Sequence, residues 1–457
     1  WQTRAQSLAI AAVTATGVAM FAMYLSTFES LERSRTVYYD EARFAHVFAR
    51  CKRAPADLAE RLEALPDVAR VDTRVVMDVT LDVPGVDEPS IGRLISIAAE
   101  DQPALNNVVL RKGRHIEPSR RDEVLVHEAF AEEHRLEPGD TLAAIIHGRR
   151  RELTVVGIGL SPEYIYVLGP GDIIPDARRF GVFWMGRKAL AAAFDMEGGF
   201  NDVAIRLAPE RAGADPMPAV IAGVDRLLEP YGGLGAIGRE HQSSHWFIEN
   251  ELRELRTMAS ILPVIFLGVS AFLVNVVLSR IVSVQRTQIA ALRARGYTGR
   301  EIAIHYLGVG LLVASLGAVA GSVAGAWLGR GLTGIYAEYF RFPEPSFSLS
   351  PWVVLAAAGI SLLAAGAGSV SAVRRVSRLP PAEAMRPEPP ARFEPTRLEK
   401  MGFARLIGPA GRMILRNVSR KPWRFLLSSA GVGMAIALMI VGSFFMDAID
   451  YLMTLEF

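Results

Sequence analysis

Apolar and polar positions alternate along this chain in five long blocks. Uncharged apolar runs lie at Ser7–Phe28, Ile261–Ser279, Tyr306–Gly329, Pro351–Val373 and Phe425–Met446. A hydrocarbon core of ~30 Å takes roughly 20 apolar residues in helical form, so each run predicts a membrane-crossing helix. The spacing is uneven. More than 200 residues of mixed polarity separate the first two runs, whereas the next two gaps are short. The pattern therefore predicts one large water-soluble domain inserted after the first span and a compact membrane unit behind it.

Within the insertion, shorter periodicities predict local elements. Ala54–Leu65 reads as a helix opened by Pro55, and Val71–Val83, Arg93–Ala98 and Asn107–Leu110 read as strands. The strand Glu123–Val126 runs into a helix, Glu128–His134, closed by Pro138-Gly139-Asp140. Thr141–Ile146 and Glu152–Gly159, joined by His147-Gly148-Arg149-Arg150, read as a hairpin. Phe180–Met185 and Asp202–Leu207 are strands around a helix at Arg187–Phe194, and Met217–Leu228 is a further helix. Short mixed elements of this kind predict an α+β domain of two lobes. Glu249–Ser260 has helical polarity with no breaker before Pro263, which predicts a stalk continuous with the second span or a plain connector.

The fold class expected is an α-helical membrane protein with a large α+β extracytoplasmic domain between the first and second transmembrane helices. The expected organisation is a first transmembrane helix at 1–31, the extracytoplasmic domain at 32–253, and three transmembrane helices at 254–377 with a cytoplasmic loop at 285–301. A basic cytoplasmic linker at 378–424 and a fifth helix at 425–457 follow. Arg412–Phe457 repeats the layout of the chain's start, with Arg424 and Asp447 standing where Arg4 and Glu29 stand. That pattern reads as the opening of a second repeat, cut short at Phe457. The chain opens on Trp1 rather than Met, which reads as a trimmed N-terminus. Ser7–Phe28 is longer than a typical signal-peptide core, and Glu29-Ser30-Leu31-Glu32 offers no small-residue cleavage site.

Charge sets the orientation. Net charge is only +2, so nothing global calls for a polyanion and no nucleic-acid partner is expected. Arginines 280, 286, 293, 295 and 300 crowd the gap between spans two and three. Residues 374–424 hold 13 basic against four acidic side chains. Tyr336–Ser350 has Arg341 alone. Basic short loops stay in the cytoplasm, so the N-terminus is expected inside and Glu29–Leu255 outside. With 51% apolar residues and a mean hydropathy of +0.24, the composition suits this mixture. The single cysteine, Cys51, excludes an intrachain disulfide framework.

Few motifs carry chemistry. No GxxxxGK[ST] phosphate loop occurs, so the chain is not expected to hydrolyse ATP, nor to be an enzyme. His127-Glu128 with His134 hints at zinc, but the histidines are seven apart and Ala131 stands where the second ligand belongs. His241 and His245 are four apart without the glutamate of that motif. No metal site is expected. The spans hold only neutral polar groups such as Asn275, expected to bond a neighbouring helix, and no carboxylate for a proton relay. Gly317, Gly321 and Gly325 make a small-residue stripe, read as close packing within the subunit ahead of a dimer seam.

The segment 285–298 is the most informative. Ile289 and Leu292, three apart, predict a short amphipathic helix broken at Gly296, and Thr298 with Glu301 has capping-box spacing for the next helix. Such a helix either docks into a cleft of a cytosolic partner or rests on the membrane surface. Gln288-Ile289-Ala290-Ala291-Leu292-Arg293-Ala294-Arg295-Gly296-Tyr297 resembles the Glu-Ile-Gly-x-Leu-Arg-Ala-x-Gly signature of MacB/FtsX-like ABC transporter permeases, with Gln288 in place of the acidic first position. Pro381-Ala382-Glu383-Ala384-Met385-Arg386 resembles the Pro-x-Glu-Ala-Leu-Arg element after the family's fourth span. Glu123–Val126, Pro138–Asp140 and Val155–Ile158 resemble its extracytoplasmic domain.

The resemblance implies a permease subunit, in a larger duplicated form, that couples ATP hydrolysis by a separate cytoplasmic ABC ATPase, itself a dimer, to movement of the outer domain. ATP and Mg would sit on that partner, with no cofactor in this chain. The coupling residues implied are Gln288, Ile289, Leu292, Arg293, Gly296 and Tyr297. The cargo implied is a lipid, lipoprotein or hydrophobic molecule, with an extracytoplasmic protein or lipid as further partner, in a bacterial plasma membrane. Activation of an extracytoplasmic enzyme of the cell-wall hydrolase type, or peptide sensing and resistance, are the other functions it implies.

Overall fold

The computed structural model describes residues 2–83, 90–97, 105–117, 119–172, 174–208, 215–344 and 346–378, with scattered positions from 408 to 451. The chain divides into two compact units. The helical unit takes 1–23, 258–327 and 349 onward, and the β-rich unit takes Tyr24–Thr257 with Leu328–Ser348. In chain order the elements are α1 (Gln2–Glu41), β1 (Val47–Pro55), α2 (Leu58–Glu63), β2 (Val68–Arg74), β3 (Val76–Asp82), β4 (Ser90–Ile97), β5 (Val109–Gly113), β6 (Glu123–His127) and α3 (Glu128–Glu133). Then come β7 (Thr141–Ile146), β8 (Arg149–Leu160), β9 (Phe180–Gly186), α4 (Arg187–Ala193), β10 (Gly199–Leu207), α5 (Met217–Leu228), β11 (Ala236–Gly238), α6 (Ser243–Val284), α7 (Arg286–Ala294), α8 (Gly299–Tyr339) and α9 (Pro351–Arg378).

Among the described residues, four helices are long and apolar enough to cross a membrane: Ser7–Glu41, Ser243–Val284, Gly299–Tyr339 and Pro351–Val370. They contain the first three apolar runs whole and the fourth as far as Val370. Of the fifth run only scattered positions are described, and those, such as Phe425 and Ile436, are helical. The linker and most of the proposed second repeat lie outside the described residues. Helix α6 starts six residues before the expected stalk and passes Pro263 without a break.

The β-rich unit sits between the first and second of these helices, and its mixed α+β character follows the sequence pattern. It contains two sheets. The smaller has the order β11-β1-β10-β2, with α2 and α5 packed on it through Leu58, Leu62, Val220, Val224 and Leu228. The larger runs β5-β8-β6-β9-β4-β3-β7, and β7 also pairs with β8, so six of its seven strands close into a ring. Closure removes the exposed sheet edges that invite unwanted pairing. Strand β6 is buried along its whole length. Its alternation separates two cores: Val124 and Val126 join one cluster with Phe183 and Met185, while Leu125 joins the other with Val182 and Trp184.

Three expectations about local structure are corrected. Val71–Val83 is two strands, not one, and the break at Val75 takes the chain from one sheet to the other. Val75 is fully buried there, and its N–H donates to Ser96 Oγ at 2.8 Å. The helix expected at Ala54–Leu65 covers only Leu58–Glu63, because Ala54 and Pro55 still pair with Phe200 and Gly199 in β1–β10. The hairpin loop is two residues rather than four. Ile146 pairs with Arg149, and His147 and Gly148 both take positive φ (48° and 72°), the turn whose twist matches that of paired strands.

In the helical unit the stripe of small residues is an internal contact. A Cβ added at Gly317, Gly321 or Gly325 would lie 2.8, 2.5 or 2.7 Å from the carbonyl oxygens of Ala11, Ala15 and Ala19 on α1. Only glycine lets the two backbones approach this closely. Asn275 Nδ2 donates to Gly368 O on α9 at 2.8 Å, the helix-to-helix bond its sequence position predicted. Leu316, Val319, Val323 and Trp327 remain exposed on α8, an apolar surface suited to lipid.

Candidate functional site

The candidate site is the turn-and-helix segment between α6 and α8. Helix α6 ends at Val284, and Gln285 leaves helical geometry (φ −90°, ψ 15°) before α7 begins. At the other end α7 stops in a Schellman motif. The N–H of Gly296 donates to Arg293 O at 3.1 Å and that of Tyr297 to Leu292 O at 3.2 Å. Gly296 has φ +99°, with nothing within 4 Å of where a Cβ would stand. Its identity is therefore set by backbone conformation and not by crowding.

The capping box expected for α8 is present. Thr298 N–H donates to Glu301 Oε2 at 2.7 Å, and Glu301 N–H donates to Thr298 Oγ1 at 3.3 Å. A further bond was not legible in the sequence: Tyr306 Oη donates to Gln285 Oε1 at 2.6 Å. It ties the first residue after α6 to the third turn of α8, across a sequence separation of 21.

The expected docking pair divides. Ile289 is 1% exposed and packs with Val282, Ile302 and Tyr306, so it anchors α7 to its own subunit. Leu292 is 38% exposed and Tyr297 is 53% exposed. The expectation that Ile289 and Leu292 share one outward face is thus corrected, because residues three apart are about 60° short of a full turn. Burial has claimed one side of that arc. Gln288 is exposed and Arg293 half-buried. The exposed surface of the segment includes Gln288, Ala291, Leu292, Arg295 and Tyr297. The second element expected, Pro381, Glu383, Ala384, Met385 and Arg386, lies outside the described residues.

The β-rich unit holds polar groupings that sequence reasoning missed. Arg74, at the end of β2, is buried and donates to Asp202 on β10 and to Glu163, two residues past β5's partner strand β8 and its following Ser161. One guanidinium thereby ties the smaller sheet to the turn that follows β8, and the two carboxylates hold it firmly protonated despite burial. Residues 328–348 also belong to this unit. Phe340 and Phe342 enter a core with Tyr38, Phe44 and Ile248. Arg341 pairs with Glu132 at 2.6 Å, and its N–H donates to Ile165 O at 2.9 Å. Arg341 as the lone base of its loop was the one sequence signal for this contact.

The histidines serve structure. His127 is buried, and its Nδ1 accepts from Ala129 N–H at 3.2 Å as the cap of α3. Burial, with the Arg341 charge adding to it, pushes its pKa down to about 3. His134 packs at a tilt against Phe130, and His245 meets the Tyr39 hydroxyl at 3.0 Å. Among the described residues no group of three or more His, Cys, Asp or Glu is placed to hold a metal ion.

Residues 260–381 match the family model of the FtsX-like permease C-terminal domain. None of the curated proteins matches the chain in sequence. Among solved structures, the chain is similar to the extracellular domain of the noncanonic ABC-type transporter YknZ from Gram-positive bacteria. That match has 14% identity, covers 41% of this chain and 97% of the other, and has a TM-score of 0.28. The periplasmic region of MacB from Actinobacillus actinomycetemcomitans is similar at 10% identity, with 46% and 92% covered and a TM-score of 0.29. The segment 260–381, which contains α7, its Schellman turn and the capped start of α8, is thus similar to the FtsX-like permease C-terminal domain, in a chain whose described residues include four helices long and apolar enough to cross a membrane.

Proposed function

We propose that this chain is the membrane subunit of an ABC complex, coupling ATP hydrolysis by a separate cytoplasmic ATPase to movement of its β-rich unit. The observation that carries the reading is α7. A nine-residue helix is fixed at both ends by a Schellman turn and by the Tyr306–Gln285 bond, anchored by Ile289, and presents Leu292 and Tyr297 outward. Apolar anchors on a rigid mount are what a groove-binding contact requires. In this reading the N-terminus and α7 are cytoplasmic, the β-rich unit is extracytoplasmic, and the membrane is a bacterial plasma membrane. ATP and Mg belong to the ATPase, a dimer.

Helix α6, unbroken from Ser243 to Val284, supports transmission of movement along one element. The cargo proposed is a lipid, lipoprotein or other hydrophobic molecule, because lipid-exposed apolar surface on α8 leaves the helical unit open to the bilayer. The test is site-specific crosslinking in membranes containing the cognate ATPase. A photoreactive residue at Leu292 or Tyr297 should yield an adduct with the nucleotide-binding subunit, while one at Arg150 should not. Impermeant thiol reagents should label a cysteine at Arg150 from outside and not one at Arg295. Labelling of Arg295 in intact cells, or adducts at Arg150 alone, would refute the reading.

A further inference from the structure

The largest cleft described in the β-rich unit has no part in the reading above. It encloses about 800 Å³ where the two sheets meet. One wall comes from the smaller sheet's side, with Ala56, Gly198 and Gly199 at the β1–β10 pair. The opposite wall comes from the loop before β6 and from α4, carrying Arg120, Arg121, Arg187 and Lys188. Glu197 is the one carboxylate in the lining, so the cleft bears a net charge of +3.

What sets the lining apart is four cations gathered around a single carboxylate. Other arginines of the unit sit in one-to-one ion pairs, such as Arg93 with Asp78, Arg111 with Glu128, Arg114 with Glu123 and Arg178 with Glu133. Arg187 is fixed by donating to Thr73 O and Thr73 Oγ1, and its charge also acts on the neighbouring Asp72 carboxyl. Arg120 adds to the field that lowers the Glu123 carboxyl, while Arg121 and Lys188 are exposed on the cleft wall. Like charges gathered in a concave wall repel one another, and low-dielectric surroundings focus their field on an anion that enters.

We propose that this cleft binds a phosphate-bearing organic anion. A phosphomonoester carries roughly −1.5 to −2 charge, which suits a +3 lining better than a single carboxylate would. Guanidinium forks match phosphate oxygens bidentately. The volume is that of a pocket for a ligand of drug size, ~300–1,000 Å³, so the phosphate has a body attached. Ala189, Ala192 and Met196 in the lining give that body an apolar surface. The same headgroup chemistry is found on an anionic lipid and on a soluble phosphorylated compound, and the experiment separates them.

The test uses the full chain in an uncharged maltoside detergent, without any ATPase, so its outcome is independent of the coupling reading. Dioctanoyl phosphatidic acid, dioctanoyl phosphatidylcholine and inorganic pyrophosphate are titrated by calorimetry. Phosphatidic acid should bind at least about tenfold more tightly than phosphatidylcholine. Arg121→Gln/Lys188→Gln should weaken it about tenfold or more, as loss of charge-assisted bonds does. Arg149→Gln/Arg151→Gln, on exposed positions of the β7–β8 hairpin, should leave affinity within about twofold, the scale of an exposed charge. Glu197→Gln should tighten binding, a gain that misfolding cannot produce. Competition by pyrophosphate assigns the site to a soluble phosphorylated compound, and its failure to compete assigns it to a lipid headgroup. Absence of phosphatidic acid binding, equal binding by the cleft variant, or equal loss in the hairpin variant would overturn the proposal.

Discussion

Leu292 and Ile289 lie three residues apart on α7 and should fail in different ways. Burying a whole leucine side chain is worth about 1.5–3 kcal/mol. Since 38% of Leu292 is still exposed, seating it in an ATPase groove gains about 0.6–1.1 kcal/mol, or roughly three- to sixfold in affinity. Leu292→Ala should therefore weaken ATPase recovery by that factor. Leu292→Asp also carries a carboxylate into the groove, which adds roughly 1–3 kcal/mol, so its loss should exceed about tenfold. Neither change removes a packed core contact, so the melting temperature should hold. Ile289→Ala does the opposite. It empties a site among Val282, Ile302 and Tyr306 and should destabilise the helical unit by about 2–4 kcal/mol, with ATPase affinity changed only as far as α7 loosens. The assay pairs pull-down of the ATPase, at matched membrane content, with thermal melting in detergent. Full ATPase recovery and full stimulated hydrolysis by Leu292→Asp would refute docking through this face. Loss of the ATPase by Ile289→Ala without any loss of stability would mean that α7 presents its other side.

Gly296→Val should cost about 1 kcal/mol or more through its φ of +99°, lowering stimulated ATP hydrolysis without changing membrane insertion; unchanged coupling would show that the turn is not under strain. Arg74→Met leaves Glu163 buried without its cation and Asp202 with only Arg50 at 3.5 Å, and should cost about 3–5 kcal/mol, less at low pH where the carboxylates take up protons; a loss that grows on acidification would contradict this. His127 is neutral when folded, with a pKa of about 3 against about 6.5 unfolded. Its contribution is thus complete above pH 6.5 and falls by about 1.4 kcal/mol per unit below it. Melts at pH 7 and pH 5 should show this loss, and His127→Asn, which keeps a cap on α3, should be flatter by about 2 kcal/mol; identical slopes would sink the assignment.

The sequence by itself determined what depends on local pattern. Hydrophobic run length specified four helices of membrane-crossing size, because the cost of burying charge leaves no other reading of twenty uncharged apolar residues. Period-two alternation located most strands of the β-rich unit, and residue chemistry at fixed short spacings specified the Thr298–Glu301 box and the Gly296 stop. The tertiary structure alone decided what depends on contacts across long separations. The strand through Val75 changes sheets, although its alternation continues unbroken, since pattern records which face is apolar and not which partner covers it. Arg74 looks like any strand arginine until Glu163 and Asp202, 89 and 128 residues away, enclose it. The cations of the cleft come from two segments more than 60 residues apart in the chain. Ile289 and Leu292 have the same apolar character and differ only in what stands opposite. Val282, Ile302 and Tyr306 bury one and leave the other exposed, a distinction made by packing around α7 and by nothing within its own nine residues.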